Sequence, residues 1–68
     1  MNLGQTISQY RKALGISQEE LGARLGVSRQ AVSKWESGAS DPSTSNLLAL
    51  AKLYGVSAED LLREAAGE

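Results

Sequence analysis

Wound as a helix at about 100° per residue, the segment SRQAVSKWES from Ser28 to Ser37 separates into two chemically distinct faces. Arg29, Gln30, Ser33, Lys34 and Ser37 fall on one side, Val32, Trp35 and Glu36 on the other, with Ala31 at the margin. The first side is wholly polar and holds no acid. A solvated face is the ordinary explanation of such a stripe, but Arg, Gln, Ser and Lys are also the side chains that hydrogen-bond base edges and phosphates. Arg29 and Gln30 stand at the N-terminal end, where Arg suits guanine O6 and N7 and Gln suits adenine N6 and N7. One turn on, Ser33 and Lys34 reach the next bases or the flanking backbone. Trp35 can in principle stack on a base, but its spacing with Val32 makes it a core residue.

These side chains need a rigid mount, and the preceding residues supply it. Ser17 is a good N-cap, with Glu20 three residues on to reach back to it, so a helix is expected over about residues 18–25. Gly26 suits the left-handed position that ends it. Ser28 caps a second helix over about residues 29–36, stopped by Ser37-Gly38. Two short helices around a connection as tight as Leu25-Gly26-Val27-Ser28 form a helix-turn-helix, spanning residues 17–37. Such a turn presents the N-terminal residues of its second helix to a major groove. Gln18 opens the first helix, where free N–H groups and the positive dipole end favour an anion, so its amide is expected to clamp a phosphate. Ser28, at the second cap, is expected beside a phosphate too.

The flanks read as scaffold. Asn2 caps a helix over about residues 3–14, with Leu3, Ile7, Tyr10 and Leu14 along one face, Gly15 in a Schellman-like position and Ile16 beyond it. Arg11 shares the stripe of Ile7 and Leu14, and Glu36 shares the inner side of Val32 and Trp35, so the two are expected to form a buried or half-buried ion pair. Leu21, Leu25, Val32 and Trp35 are further core candidates. The run SGASDPS is a loop over about residues 37–43. Ser43 or Ser45 then caps a helix over about residues 44–54, with Leu47, Leu50, Ala51 and Tyr54 inward and Gly55 as its stop. Ser57 with Asp60 opens a fifth helix over about residues 58–64, and the tail over residues 65–68 is expected to fray. Leu62 and Ala65 are surplus to a core that Val56 and Leu61 close, which makes them candidates for a contact between two copies of the chain.

At 68 residues the chain allows one domain, 1–68, with a core only just large enough to fold alone. It has no Cys and no His, so disulfides, the usual metal clusters and the commonest nucleophile–base pairs have no residues to use; neither a metal, a cofactor nor an enzyme activity is expected. Its longest apolar run, Leu47 to Ala51, falls far short of the ~20 residues that span a bilayer, and no signal peptide is evident, so a cytoplasmic location and no membrane partner are expected. The net charge of −1 is unusual for a nucleic-acid binder. Its distribution is asymmetric: residues 1–38 carry +2 and residues 39–68 carry −3. The helix-turn-helix half is the basic half.

As a set, Ile7-x-x-x-Arg11, Gly15-Ile16-Ser17-Gln18, Leu21, Gly26-Val27-Ser28, Val32-Ser33-x-Trp35-Glu36-x-Gly38, Pro42, Leu47-Leu48-x-Leu50-Ala51 and Gly55-Val56-Ser57 form a specific pattern. Over about residues 3–63 the chain resembles the Cro/CI-type helix-turn-helix regulators, the phage-repressor-like group. One departure is Gly22, where the family usually has Ala; glycine permits close approach at roughly 1 kcal/mol of helix propensity. The resemblance implies an all-α, five-helix phage-repressor-like DNA-binding domain. It implies that Gln18 holds a phosphate, that Arg11 and Glu36 pair to fix the motif to the scaffold, and that the loop of Ser37, Gly38 and Ser40 runs beside the phosphates. For Ser40 an ordinary loop role is an equal alternative. The function it implies is a sequence-specific transcriptional regulator, a repressor, or the DNA-binding domain of one. One recognition helix reads few base pairs and the chain has few cations, so a homodimer on a pseudo-palindromic double-stranded operator is expected. The alternative class is a helical protein-interaction module, such as an antitoxin or coregulator-like domain. The acidic balance favours that class, and the acid-free polar face favours DNA more strongly.

Overall fold

The computed structural model describes residues 2–67, which form five α-helices: α1 Leu3–Ala13, α2 Gln18–Leu25, α3 Arg29–Ser37, α4 Thr44–Tyr54 and α5 Ala58–Ala65. Every start is a capped one. The side chains of Asn2, Ser17, Ser28, Ser43 and Ser57 each accept the N–H three residues on. Of the two candidates for the fourth cap, Ser43 takes the role and Ser45 lies inside the helix. At Asn2 the cap is reciprocal, because Gln5 Oε1 accepts from the Asn2 N–H at 3.0 Å. The expected reciprocal bonds from Glu20 and Asp60 do not form. Glu20 pairs with Arg24 at 2.7 Å and Asp60 with Arg63 at 3.1 Å, each a charge partner one turn further on that competes for the same carboxylate.

The helix ends differ from expectation by a residue. α1 stops at Ala13 because Gly15, at φ 72°, completes a Schellman turn: its N–H reaches Lys12 O at 3.0 Å and that of Ile16 reaches Arg11 O at 3.4 Å. This turn sends Ile16 into the core and leaves Leu14, read as inward from its spacing, 46% exposed on the cap. α3 extends to Ser37. α5 extends to Ala65 with its cap at Ala66, so the expected fraying does not include Ala65; Glu68 lies outside the described residues.

α1 lies against α3 and α5, α2 against α3 and α4, and α4 against α5, around a core of Ile7, Ile16, Leu21, Val32, Trp35, Leu50, Ala51 and Leu61. Leu3, Tyr10, Leu25, Leu47, Tyr54 and Val56 pack half-buried against it. Two contacts fix α1. Tyr54 stacks on Tyr10 with ring centroids 4.9 Å apart, and its hydroxyl donates to Ile7 O at 3.0 Å. Desolvation raises the Tyr54 pKa above that of an ordinary phenol. At the other end, Gly4 is buried where α1 crosses the end of α3, so closely that a Cβ on it would stand 2.5 Å from Trp35 O and 2.8 Å from Glu36 O. No side chain fits there.

Candidate nucleic-acid interface

The corner that aims α3 is built from backbone. Gly26 adopts φ 75°, and the Val27 N–H closes on Gly22 O at 2.8 Å. A Cβ on Gly22 would lie 2.7 Å from Val27 O, which gives that glycine a steric reason: the turn folds back over the space an alanine methyl needs. Ser28 Oγ then accepts from the Ala31 N–H at 3.1 Å and starts α3. Within α3, Val32 and Trp35 are buried, while Arg29, Gln30 and Lys34 are exposed and Ser33 is half-buried. The four therefore share one accessible face. Trp35 is 5% exposed and belongs to the core, as its spacing indicated.

The inner side of α3 is tied down by Glu36. Arg11 Nε donates to Glu36 Oε2 at 2.7 Å and Arg11 Nη2 to Oε1 at 3.0 Å, a bidentate pair whose side chains are 13% and 8% exposed. Arg11 Nη1 also holds Ile16 O at 3.0 Å. Burial alone pushes the Glu36 carboxyl up, but hydrogen bonds from Arg11 and Gln18, with the Arg11 charge and the nearby Ser8 hydroxyl, outweigh it and hold the pKa below the usual carboxylate range. The hydrogen bond to Glu36 raises the Arg11 pKa in turn. Ser8 and Gly4 were not singled out from sequence. Gly4 left a signal, since a glycine inside a helical pattern needs a packing reason; Ser8 left none.

Gln18 also meets this carboxylate: its Nε2 donates to Glu36 Oε1 at 3.1 Å. One amide hydrogen is thereby used, and the second is available to an anion at the start of α2. After α3, Gly38 turns the chain at φ 84°, and the loop folds back on the last turn. Lys34 O accepts from both the Ser37 hydroxyl at 3.1 Å and the Ser40 N–H at 3.3 Å. The Ser37 proton is thus used within the loop in the free protein, whereas Ser40 is exposed.

Charge is distributed to match. Of the seven Lys and Arg residues, Arg11, Arg24 and Arg63 are in salt bridges. Among the described residues no salt bridge involves Lys12, Arg29, Lys34 or Lys52, two of which stand on the exposed face of α3. Nor do the described residues gather His, Cys, Asp or Glu into a metal-binding cluster, and none of their helices is long and apolar enough to cross a membrane.

A family model described as helix-turn-helix matches residues 7–61, from the core residue Ile7 of α1 to Leu61 of α5. The chain is a Cro/CI-type helix-turn-helix domain. Repressor protein C2 of Salmonella phage P22 is 43% identical to it over 61 residues, covering 90% of this chain and 28% of that protein. The HTH-type transcriptional activator BcrR of Enterococcus faecalis is 37% identical over 62 residues, covering 91% of this chain and 30% of that protein. The chain thus spans under a third of the length of these two relatives. Among solved structures, the P22 c2 repressor in complex with a synthetic operator superposes with a TM-score of 0.86 at 41% identity, covering 93% of this chain and 96% of that one. The clp gene regulator ClgR of Corynebacterium glutamicum gives 0.87 at 32% identity, covering 96% and 69%. The Cro/CI-type domain thus shares its fold with both structures, the first of them a repressor bound to an operator.

Proposed function

We propose that this Cro/CI-type domain, residues 1–68, is a sequence-specific double-stranded DNA-binding unit of a transcriptional repressor, working in the cytoplasm by occupying an operator. The observation that carries it is the accessible, acid-free face of Arg29, Gln30, Ser33 and Lys34 on a helix locked to the scaffold by the buried Val32 and Trp35 and the paired Glu36. Arg29 and Gln30 read base edges; Ser33 and Lys34 reach the following bases. Gln18, Ser28, Ser37, Gly38 and Ser40 hold the flanking phosphates, Ser37 by exchanging its bond to Lys34 O for one to the backbone. The P22 relative named a repressor, and solved with a synthetic operator, supports this assignment. Two copies act together on a pseudo-palindromic site, joined through Leu62, which is 47% exposed, and the half-buried Ala65.

The test is a salt-titrated selection from a random duplex pool. A bidentate contact discriminates by ~1–3 kcal/mol at one base pair, so Gln30→Ala relaxes preference at one operator position with little change in salt dependence. Lys34→Ala lowers affinity; a smaller salt slope assigns it to phosphate and an altered base preference assigns it to a guanine. If both variants keep the affinity and sequence preference of the parent, the protein-interaction alternative, favoured by the net charge of −1, takes the place of DNA recognition.

A further inference from the structure

We infer that Lys12, with Ser8 and Gln5 on the same side of α1, forms a further contact with the DNA backbone, outside the helix-turn-helix. This rests on the DNA-binding function proposed above. A cleft of about 430 Å³ runs between α1 and the C-terminal end of α3, lined by Gln5, Ser8, Gln9, Lys12 and Glu36. Every lining side chain is polar. The one acid among them does not make the cleft negative, because Glu36 is matched by the bidentate Arg11 and accepts from Gln18 as well. Lys12 is exposed and outside every salt bridge among the described residues, so it sets the sign of the cleft.

The position of the cleft joins it to the reading surface. Glu36 is a residue of α3, and the same carboxylate holds Gln18 at the N-terminus of α2, so the cleft opens beside the end of α2 that attracts an anion. Of the four cations outside salt bridges among the described residues, Arg29 and Lys34 stand on α3 and Lys12 stands in this cleft against it. Lys52 is the exception: it lines a groove of α4 and α2 with Arg24, Leu25, Ala49 and Leu53. Three unneutralised charges therefore gather around the recognition helix, and a strand of phosphates gripped at Gln18 meets hydroxyl, amide and ammonium donors in the cleft next to it. Lys12 also lies in the last turn of α1, where a cation stabilises the helix dipole. That role affects stability and leaves the salt dependence of binding untouched.

The experiment compares Lys12→Gln, Lys12→Arg and Lys52→Gln in the whole chain, by fluorescence anisotropy against the selected operator and an unrelated duplex between 50 and 200 mM salt. One phosphate contact contributes ~0.9 to the slope of log affinity against log salt, equivalent to ~3.5-fold across that range. Lys12→Gln is expected to weaken both duplexes by the same factor and to reduce the slope by that amount, Lys12→Arg to restore it, and Lys52→Gln to leave it unchanged. A full parental slope in Lys12→Gln, with or without a lower melting temperature, overturns the inference, as does an equal loss in Lys52→Gln. If Lys34→Ala weakens binding while Lys12→Gln does not, only the Lys12 contact is lost from the scheme. A parent chain that binds neither duplex removes the DNA-binding function itself.

Discussion

Replacing Arg11 by Met removes one half of a nearly buried ion pair and strands the other half. The Glu36 side chain is 8% exposed, and after the substitution its carboxylate retains Gln18 as a hydrogen-bond donor, with the Ser8 hydroxyl nearby, against the desolvation that Arg11 had balanced. Breaking a fully buried pair from one side costs about 3–5 kcal/mol. With the neutral donor Gln18 left and the Ser8 hydroxyl nearby, and one bond to Ile16 O also lost, the lower end, about 3 kcal/mol, is expected here. A chain of this length is held by roughly 3–10 kcal/mol in all, so the variant sits close to unfolding. At about 4–8 °C per kcal/mol, the melting temperature should fall by roughly 12–24 °C. Trp35, the only tryptophan, is in the core and reports unfolding directly in a thermal or urea titration followed by fluorescence. Arg11→Met with Glu36→Leu, which removes both charges, should recover most of the loss, since an apolar replacement for a buried pair is often neutral. A single variant within about 1 kcal/mol of the parent, or a double variant no better than the single, would refute the assignment of this pair as the tie between α1 and α3.

Three further outcomes follow from the same geometry. Gly4→Ala must push α1 off two backbone carbonyls at 2.5 and 2.8 Å; against the helix-propensity gain of alanine, a net loss of about 1–3 kcal/mol is expected in urea titration. Tyr54→Phe should cost about 0.5–1.5 kcal/mol at neutral pH, where the phenol donates to Ile7 O. Because the folded Tyr54 pKa is raised, its contribution is complete below about pH 10, the unfolded value, and is lost as pH rises through the folded one; the variant should show a flatter alkaline limb in stability against pH. Leu62→Glu should abolish self-association in sedimentation equilibrium while leaving the melting temperature of the monomer nearly unchanged, since this leucine is 47% exposed.

Local chemistry made the five helices legible in the sequence. Asn2, Ser17, Ser28, Ser43 and Ser57 start them by bonds that span three residues, and Gly15, Gly26, Gly38 and Gly55 follow their ends, so neither signal depends on the rest of the fold. What failed was extrapolation past such a signal: Leu14 continues the α1 stripe in sequence, but the Schellman turn has already diverted the chain. Glu20 and Asp60 show a different limit, because a capping partner and an ion-pair partner lie within one turn of each and sequence does not rank them. At the interface, counting separates the buried Val32 and Trp35 from Arg29, Gln30, Ser33 and Lys34, but it sets Glu36 beside Arg29, and only the crossing of α1 buries it. The positions of Gly4 and Ser8, and the bond from Gln18 to Glu36, depend on how α1 and α2 cross α3, which no local pattern specifies.

The two-faced construction of α3 bears on how such a domain changes over generations. Everything that holds the helix in place, Val32, Trp35 and the Glu36 pair, is buried or nearly so, whereas Arg29, Gln30 and Lys34 are exposed. Substitutions at exposed positions away from packed or paired groups usually shift stability by less than about 0.5 kcal/mol. On the proposed reading, target preference can therefore be rewritten one codon at a time, each intermediate remaining folded, while the scaffold beneath is inherited unaltered.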